Sequence, residues 1–123
     1  EITRLQRMKT GALINYACMT GAILGKADVS QRHQLSAYAN NLGLAFQIVD
    51  DILDVEGVVE ELGKAVNKDE GAGKVTFVSI LGKERARDKA DALIAQSIKY
   101  LENFGEKSNL LKDLADFVVQ RRH

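Results

Sequence analysis

Leu35-Ser36-Ala37-Tyr38-Ala39-Asn40-Asn41-Leu42-Gly43-Leu44-Ala45-Phe46-Gln47-Ile48-Val49-Asp50-Asp51-Ile52-Leu53-Asp54 is the stretch that decides the fold. Leu35, Tyr38, Ala39, Leu42, Phe46, Val49 and Leu53 recur at steps of three and four, the period of an amphipathic helix with one face on a core. On a wheel of about 100° per residue with Leu42 at zero, Asp50 falls near ~80°, Gly43 near ~100°, Asp54 near ~120°, Gln47 near ~140° and Asp51 near ~180°. These five residues form a polar or small flank beside the apolar stripe. Gly57 is the expected stop signal.

The flank is strongly acidic. Between Asn41 and Gly63 there are six Asp or Glu residues and no Lys or Arg. Carboxylates at helical contact spacing repel each other. Near the C-terminal end of a helix they also meet the negative pole of its dipole. A divalent cation would relieve both penalties. Mg²⁺ suits the pattern because it takes oxygen ligands, often one or two carboxylates completed by water and substrate phosphates. Asp50, Asp51 and Asp54 are therefore the candidate metal ligands. The plain alternative is a solvated acidic face. The apolar neighbours, and the lack of a basic residue within a turn, favour the metal.

Two other ion-binding patterns fail. An EF-hand starting at Asp50 would place Ile52 at the third position and Val55 where glycine is required. A phosphate-binding P-loop around Gly73-Lys74 lacks its first glycine, since Lys68 stands there, and Val75 replaces the Ser or Thr.

Working outward, the pattern is helical throughout, and no strand pattern competes. A first helix is predicted over about residues 2 to 24. Asp28 and Ser30 follow as turn and N-cap residues, with Gln34 as the capping-box partner of Ser30. Residues 58 to 73 read as a long glycine-containing loop that carries Lys64 and Lys68, with Lys74 just beyond. A loop of this length more often serves function than connection. A short helix near Thr76–Leu81 ends at Gly82. A long helix then buries Ala86, Ala90, Leu93, Ile94, Ser97, Ile98 and Leu101. The last helix, about 108 to 121, is expected to start at Ser108 and to bury Leu110, Leu111, Leu114, Phe117 and Val118. Cys18 reads as core packing and His33 as surface. The class is all-α.

Composition supports this. The chain has 123 residues, no proline and 46% hydrophobic residues, enough for one modest helical domain. The net charge is zero, so no global field favours nucleic acid or an acidic membrane. The lone Cys18 allows no intrachain disulfide and suits a reducing cytoplasm. The longest weakly polar stretch, Gly11 to Gly25, is shorter than the roughly 20 apolar residues of a membrane span. Glu1 opens the sequence without Met, and helical spacing is already present by Leu5 and Met8. The chain is accordingly read as part of a longer protein.

The lysines complete a second pattern. Lys64 and Lys74 each follow a glycine, which lets backbone approach a polyanion closely. A Mg²⁺-carboxylate face beside a lysine-bearing loop describes a diphosphate site. Each lysine alone reads as an ordinary surface residue, and Gln47 alone as a structural amide.

Taken together, Phe46-Gln47-x-x-Asp50-Asp51-x-Leu53-Asp54, Gly63-Lys64, and Lys68-Asp69-x-x-x-Gly73-Lys74-x-Thr76-Phe77 resemble the trans-polyprenyl diphosphate synthases, particularly bacterial farnesyl or geranyl types. Lys9-Thr10-Gly11 matches their Lys-Thr element. The resemblance spans essentially all 123 residues and corresponds to the C-terminal part of a family member. It implies the C-terminal portion of a single all-α domain of the isoprenoid-synthase type.

It further implies a Mg²⁺-dependent prenyltransferase that joins isopentenyl diphosphate to an allylic diphosphate in isoprenoid biosynthesis. Asp50, Asp51 and Asp54 would hold Mg²⁺. Lys9, Lys64 and Lys74 would bind the allylic diphosphate, while Thr10 and Gln47 would face the reacting cation. Gly43 either leaves room for the prenyl chain or packs against a helix. A homodimer is implied for the full-length protein. The family's first Asp-rich motif is absent from these residues, so the piece alone is expected to be inactive. Asn67 and Val78 depart from a common Gly and a common Pro. Arg121 and Arg122 resemble the family's basic tail but are read as a frayed, solvated end. The alternatives are a non-catalytic helical partner of such a synthase and a terpene cyclase. The intact acidic motif argues against the first. The missing Asn/Asp-Ser/Thr-Glu pattern argues against the second.

Overall fold

The structure, a computed structural model, describes residues 2–62 and 77–121, with side chains from residue 8 to 57 and from 78 to 121. Five α-helices form in chain order: α1 (Ile2–Leu24), α2 (Val29–Leu62), α3 (Phe77–Leu81), α4 (Lys83–Tyr100) and α5 (Asn109–Gln120). A 3₁₀ segment, Glu102–Ser108, joins α4 to α5. No strand occurs among the described residues.

α2 is the axis, packed by α1, α4 and α5. Its side chains supply much of the core: Tyr38, Leu42, Ala45, Ile48, Val49 and Ile52 are all buried. The centre of this face lies to one side of the predicted stripe. Ala45, Ile48 and Ile52 are fully enclosed, whereas Leu35, Phe46 and Leu53 are only half-buried. The reason is α4, whose Ala86, Ala90 and Ile94 let it sit close on that side. Periodicity finds an apolar stripe but cannot say which edge of it the nearest helix will cover.

Three sequence-based boundaries are corrected. Gly57 does not stop α2, which continues to Leu62. A glycine ends a helix where the chain adopts positive φ. In mid-helix it is a tolerated cost of about 1 kcal/mol. Residues 58–62 of the expected loop are thus helical, and residues 63–76 lie outside the described set.

The start of α2 is capped by Asp28 rather than Ser30. Asp28 Oδ1 accepts from the Gln31 N–H at 2.8 Å, and Gln31 Oε1 accepts from the Asp28 N–H at 2.9 Å. This is a reciprocal capping box, one that uses Gln31 instead of Gln34. The turn before it has Lys26 at φ 60°, with its N–H on the Ile23 carbonyl and the Ala27 N–H on the Ala22 carbonyl.

Ser108 stands at the N-cap position of α5 without capping it. Its hydroxyl lies instead 2.8 Å from the Gly105 carbonyl and 3.3 Å from that of Leu101, serving the tight turn in which Gly105 has φ 64°.

The predicted face of α5 is also corrected. Ala115 and Val118 are buried, but Leu110, Leu114 and Phe117 are exposed. Leu111, Leu114 and Phe117 border a cavity of about 770 Å³ between α1, α2 and α5. Cys18 lies on its wall and is half-buried, and burial pushes its thiol pKa up. α5 is held by directional bonds. The Tyr38 hydroxyl donates to the Leu111 carbonyl at 2.8 Å, and Arg87 donates to the Val119 carbonyl at 2.7 Å.

Burial raises the Tyr38 pKa well above its ordinary value of 10, with the nearby Cys18 adding to the rise. A raised folded-state value keeps the proton on the native protein. Stability from Tyr38 is therefore full below about pH 10 and is lost as pH rises from there through the folded value. Tyr38→Phe is expected to lower the unfolding free energy at neutral pH by about 1 kcal/mol, through the lost hydrogen bond. Urea titrations should also show that the variant lacks the part of the alkaline fall that begins near pH 10.

Candidate functional site

α2 carries the acidic motif where its wheel predicts, and packing gives the three carboxylates different surroundings. Asp51 is 6% exposed, Asp50 is intermediate and Asp54 is exposed. The wheel explains the difference. Asp51, near ~180°, is flanked by Ile48 near ~240° on the α4 side, so it is drawn inward. Asp50 and Asp54 are one turn apart on the outer flank. Among the described residues no three His, Cys, Asp or Glu side chains gather as a ready-made metal cluster. The donor set still fits a hard cation. Asp50 and Asp54 offer adjacent carboxylates, the one or two that Mg²⁺ commonly takes when other oxygens complete its shell.

The sequence reading missed the nearest counter-charge. Arg121 Nη2 lies 2.7 Å from Asp50 Oδ1 and donates to it. The same nitrogen donates to the Phe46 carbonyl at 3.0 Å, and the guanidinium carbon is 4.1 Å from the Phe46 ring centroid. The Arg121 side chain is 10% exposed. The expected frayed end is therefore corrected at this residue; Arg122 lies outside the described residues. Arg121 Nε is buried without an acceptor among the described residues. A second basic residue approaches the acidic stretch from α4, where Lys83 Nζ is 2.7 Å from Glu56 Oε2. That pair is about half-exposed on each side and contributes little to stability. Neither partner lies within a turn of α2, so no local pattern could reveal it.

α1 runs antiparallel across the same flank. Asn15 donates to Asn40 Oδ1 at 3.1 Å, and a Cβ built on Gly43 would lie 3.6 Å from Gly11 Cα. This register sets Lys9 and Thr10 between the levels of Gly43 and Gln47, on the side that leads to Asp50. Lys9 is exposed, while Thr10 and Gln47 are half-buried. Gly43 is buried against Gly11 and Ile14, so of its two readings the helix-packing one holds. Lys64 and Lys74, expected to bind diphosphate, lie outside the described residues, as does Lys68.

A family profile described as polyprenyl synthetase matches residues 1–117. The chain belongs to the polyprenyl synthetase family. It is 44% identical over 125 aligned residues to the farnesyl diphosphate synthase of Escherichia coli (strain K12), covering 98% of this chain and 42% of that protein. It is 46% identical over 115 residues to a dimethylallyltranstransferase of Fischerella ambigua, covering 94% of this chain and 33% of the relative. Among solved structures, an FPP/GFPP synthase from Zymomonas mobilis superposes with a TM-score of 0.76 at 43% identity, covering 95% of this chain and 37% of that one. The chain thus spans between a third and a little over two fifths of these family members. The resemblance read from the acidic and Lys-Thr motifs agrees with the family, and the helical class agrees with the fold of the structural neighbour. No helix among the described residues is long and apolar enough to cross a membrane.

The Gly11–Gly43 crossing generates a test. A methyl at Gly43 would meet its neighbours at 3.6–3.7 Å, ordinary contact, and alanine favours a helix over glycine by about 1 kcal/mol. Gly43→Ala is expected to leave the melting temperature unchanged or slightly raised. Gly43→Leu, which must push α1 away, should lower it by several degrees. Thermal denaturation followed by circular dichroism checks both.

Proposed function

We propose that the full-length protein is a prenyltransferase that condenses isopentenyl diphosphate with an allylic diphosphate, making a short trans-prenyl diphosphate, and that this chain supplies one side of its diphosphate site. The observation that carries the reading is the outward pair Asp50 and Asp54 on the α2 flank, with Lys9 and Thr10 on the adjoining helix leading to it.

In this reading Asp50 and Asp54 offer oxygens to Mg²⁺, with Asp51 packed behind them as the third member of the motif. Lys9, Lys64 and Lys74 neutralise the allylic diphosphate. Charge placed where a leaving diphosphate develops is the largest single aid such a reaction can receive. Bound Mg²⁺ adds Lewis-acid stabilisation of the leaving group. Thr10 and Gln47 present neutral oxygens, which can face a developing carbocation without capturing it as a carboxylate would. The new carbon–carbon bond forms as the allylic carbon meets the double bond of isopentenyl diphosphate, and a proton then leaves the product.

The full-length protein is further proposed to be a homodimer that works in the cytoplasm. α1 leaves Met8, Tyr16 and Ile23 exposed. They are spaced about two turns apart, and this apolar stripe is one a second copy would cover.

Product analysis with isopentenyl and allylic diphosphates, with and without Mg²⁺, tests the assignment. A prenyl diphosphate is expected only when the metal is present. Asp50→Asn should lower kcat/KM on the order of 10²–10³-fold. The 123-residue chain alone should give no product. Absence of any Mg²⁺-dependent product from the full-length protein would refute the proposal.

A further inference from the structure

Arg121 is fastened more firmly than a counter-ion needs to be. Of its three side-chain contacts among the described residues, the Phe46 carbonyl at 3.0 Å and the Phe46 ring at 4.1 Å do not involve the carboxylate. The third is Asp50 Oδ1 at 2.7 Å. A guanidinium over an aromatic face is attracted to it, more so when desolvated, and this side chain is 90% removed from solvent. An arginine held by Asp50 alone would leave whenever the carboxylate found another partner. One seated on a backbone carbonyl and a ring remains in place.

The consequence falls on Asp50. A free carboxylate can rotate, chelate with both oxygens or turn away. With Oδ1 held by Arg121, rotation stops. The Asp50 side chain is still 41% exposed, and a carboxylate has about four lone-pair sites, so Oδ2 keeps room for a ligand. Groups that hydrogen-bond a metal ligand from behind fix its orientation. The positive charge of Arg121 acts in the opposite sense, repelling a second cation. Measured affinity therefore separates the two effects by sign.

We propose that Arg121 is a positioning residue of the cation site: anchored on Phe46, it pins Oδ1 of Asp50 and presents Oδ2 as the single oxygen that this carboxylate gives to a divalent cation. The inference rests on the reading of Asp50 as a cation ligand.

Mn²⁺ is the probe, titrated into the full-length protein, with free ion followed by its electron paramagnetic resonance signal. Asp50→Asn is expected to weaken binding. Arg121→Gln and Arg121→Lys should each weaken it about 10-fold, because neither rebuilds a planar fork seated on Phe46. Circular dichroism identifies any variant that does not fold, and the lysine variant decides the question should the glutamine variant fail. Tighter Mn²⁺ binding by Arg121→Gln would mean that Arg121 merely competes with the cation, overturning the proposal. Wild-type affinity in Arg121→Lys would do the same, since charge alone would suffice. Wild-type affinity in Asp50→Asn would instead remove Asp50 from the cation site, and the inference with it.

Discussion

A helix packed by neighbours on three sides has only a narrow strip left for polar groups, and α2 places its chemistry on that strip. Tyr38, Ile48 and Ile52 are fully buried, and α1 crosses the polar flank itself at Gly43. Beyond that crossing the flank carries Gln47, Asp50 and Asp54. The rest of the bundle follows from this constraint. α4 has alanines at positions 86 and 90 where it meets the core, and α1 meets α2 through glycine. Small residues let the neighbours come close without covering the carboxylates.

Asp51 marks the limit of the arrangement. Placed one residue on, it falls about 100° round the wheel from Asp50 and is drawn to 6% exposure. Burying a carboxylate is costly unless it is paired and hydrogen-bonded. The motif is thus two outward acids backed by one inward acid. The repulsion that makes three adjacent carboxylates costly is divided between solvent, protein interior and a guanidinium.

Helix identity, the fold class and the acidic flank were legible because each is set by residues within a few positions of one another. The face of α4 followed from spacing for the same reason, whereas on α1 the helically spaced Met8 is exposed. What stayed illegible was non-local or a matter of competition. Arg121 and Asp50 are 71 residues apart, and Lys83 and Glu56 belong to different helices; no spacing rule connects them. Ser30 has a cap's spacing to Gln34, yet the chain turns through Lys26 at positive φ and Asp28 accepts from the Gln31 N–H instead. The apolar residues of α5 satisfy a helical period, yet Leu114 and Phe117 face a cavity instead of a core. Periodicity reports that a face is apolar, not that another element covers it.

The fastening of α5 shows why this matters for the acidic motif. Apolar contact is non-directional and leaves a helix free to slide by fractions of a turn. α5 exposes Leu110, Leu114 and Phe117, so apolar burial alone fixes its register poorly. Four polar contacts among the described residues supply the direction: Tyr38 to Leu111 near its start, then Arg87 to Val119 and Arg121 to both the Phe46 carbonyl and Asp50 at its end. Three of them run to α2, at Tyr38, Phe46 and Asp50. Hydrogen bonds weaken steeply once their geometry is lost, so a shift of α5 that kept its apolar contacts would still break these. The position of α5 is therefore fixed against the same helix that carries the carboxylates, and a displacement at Leu111 must be felt at Asp50.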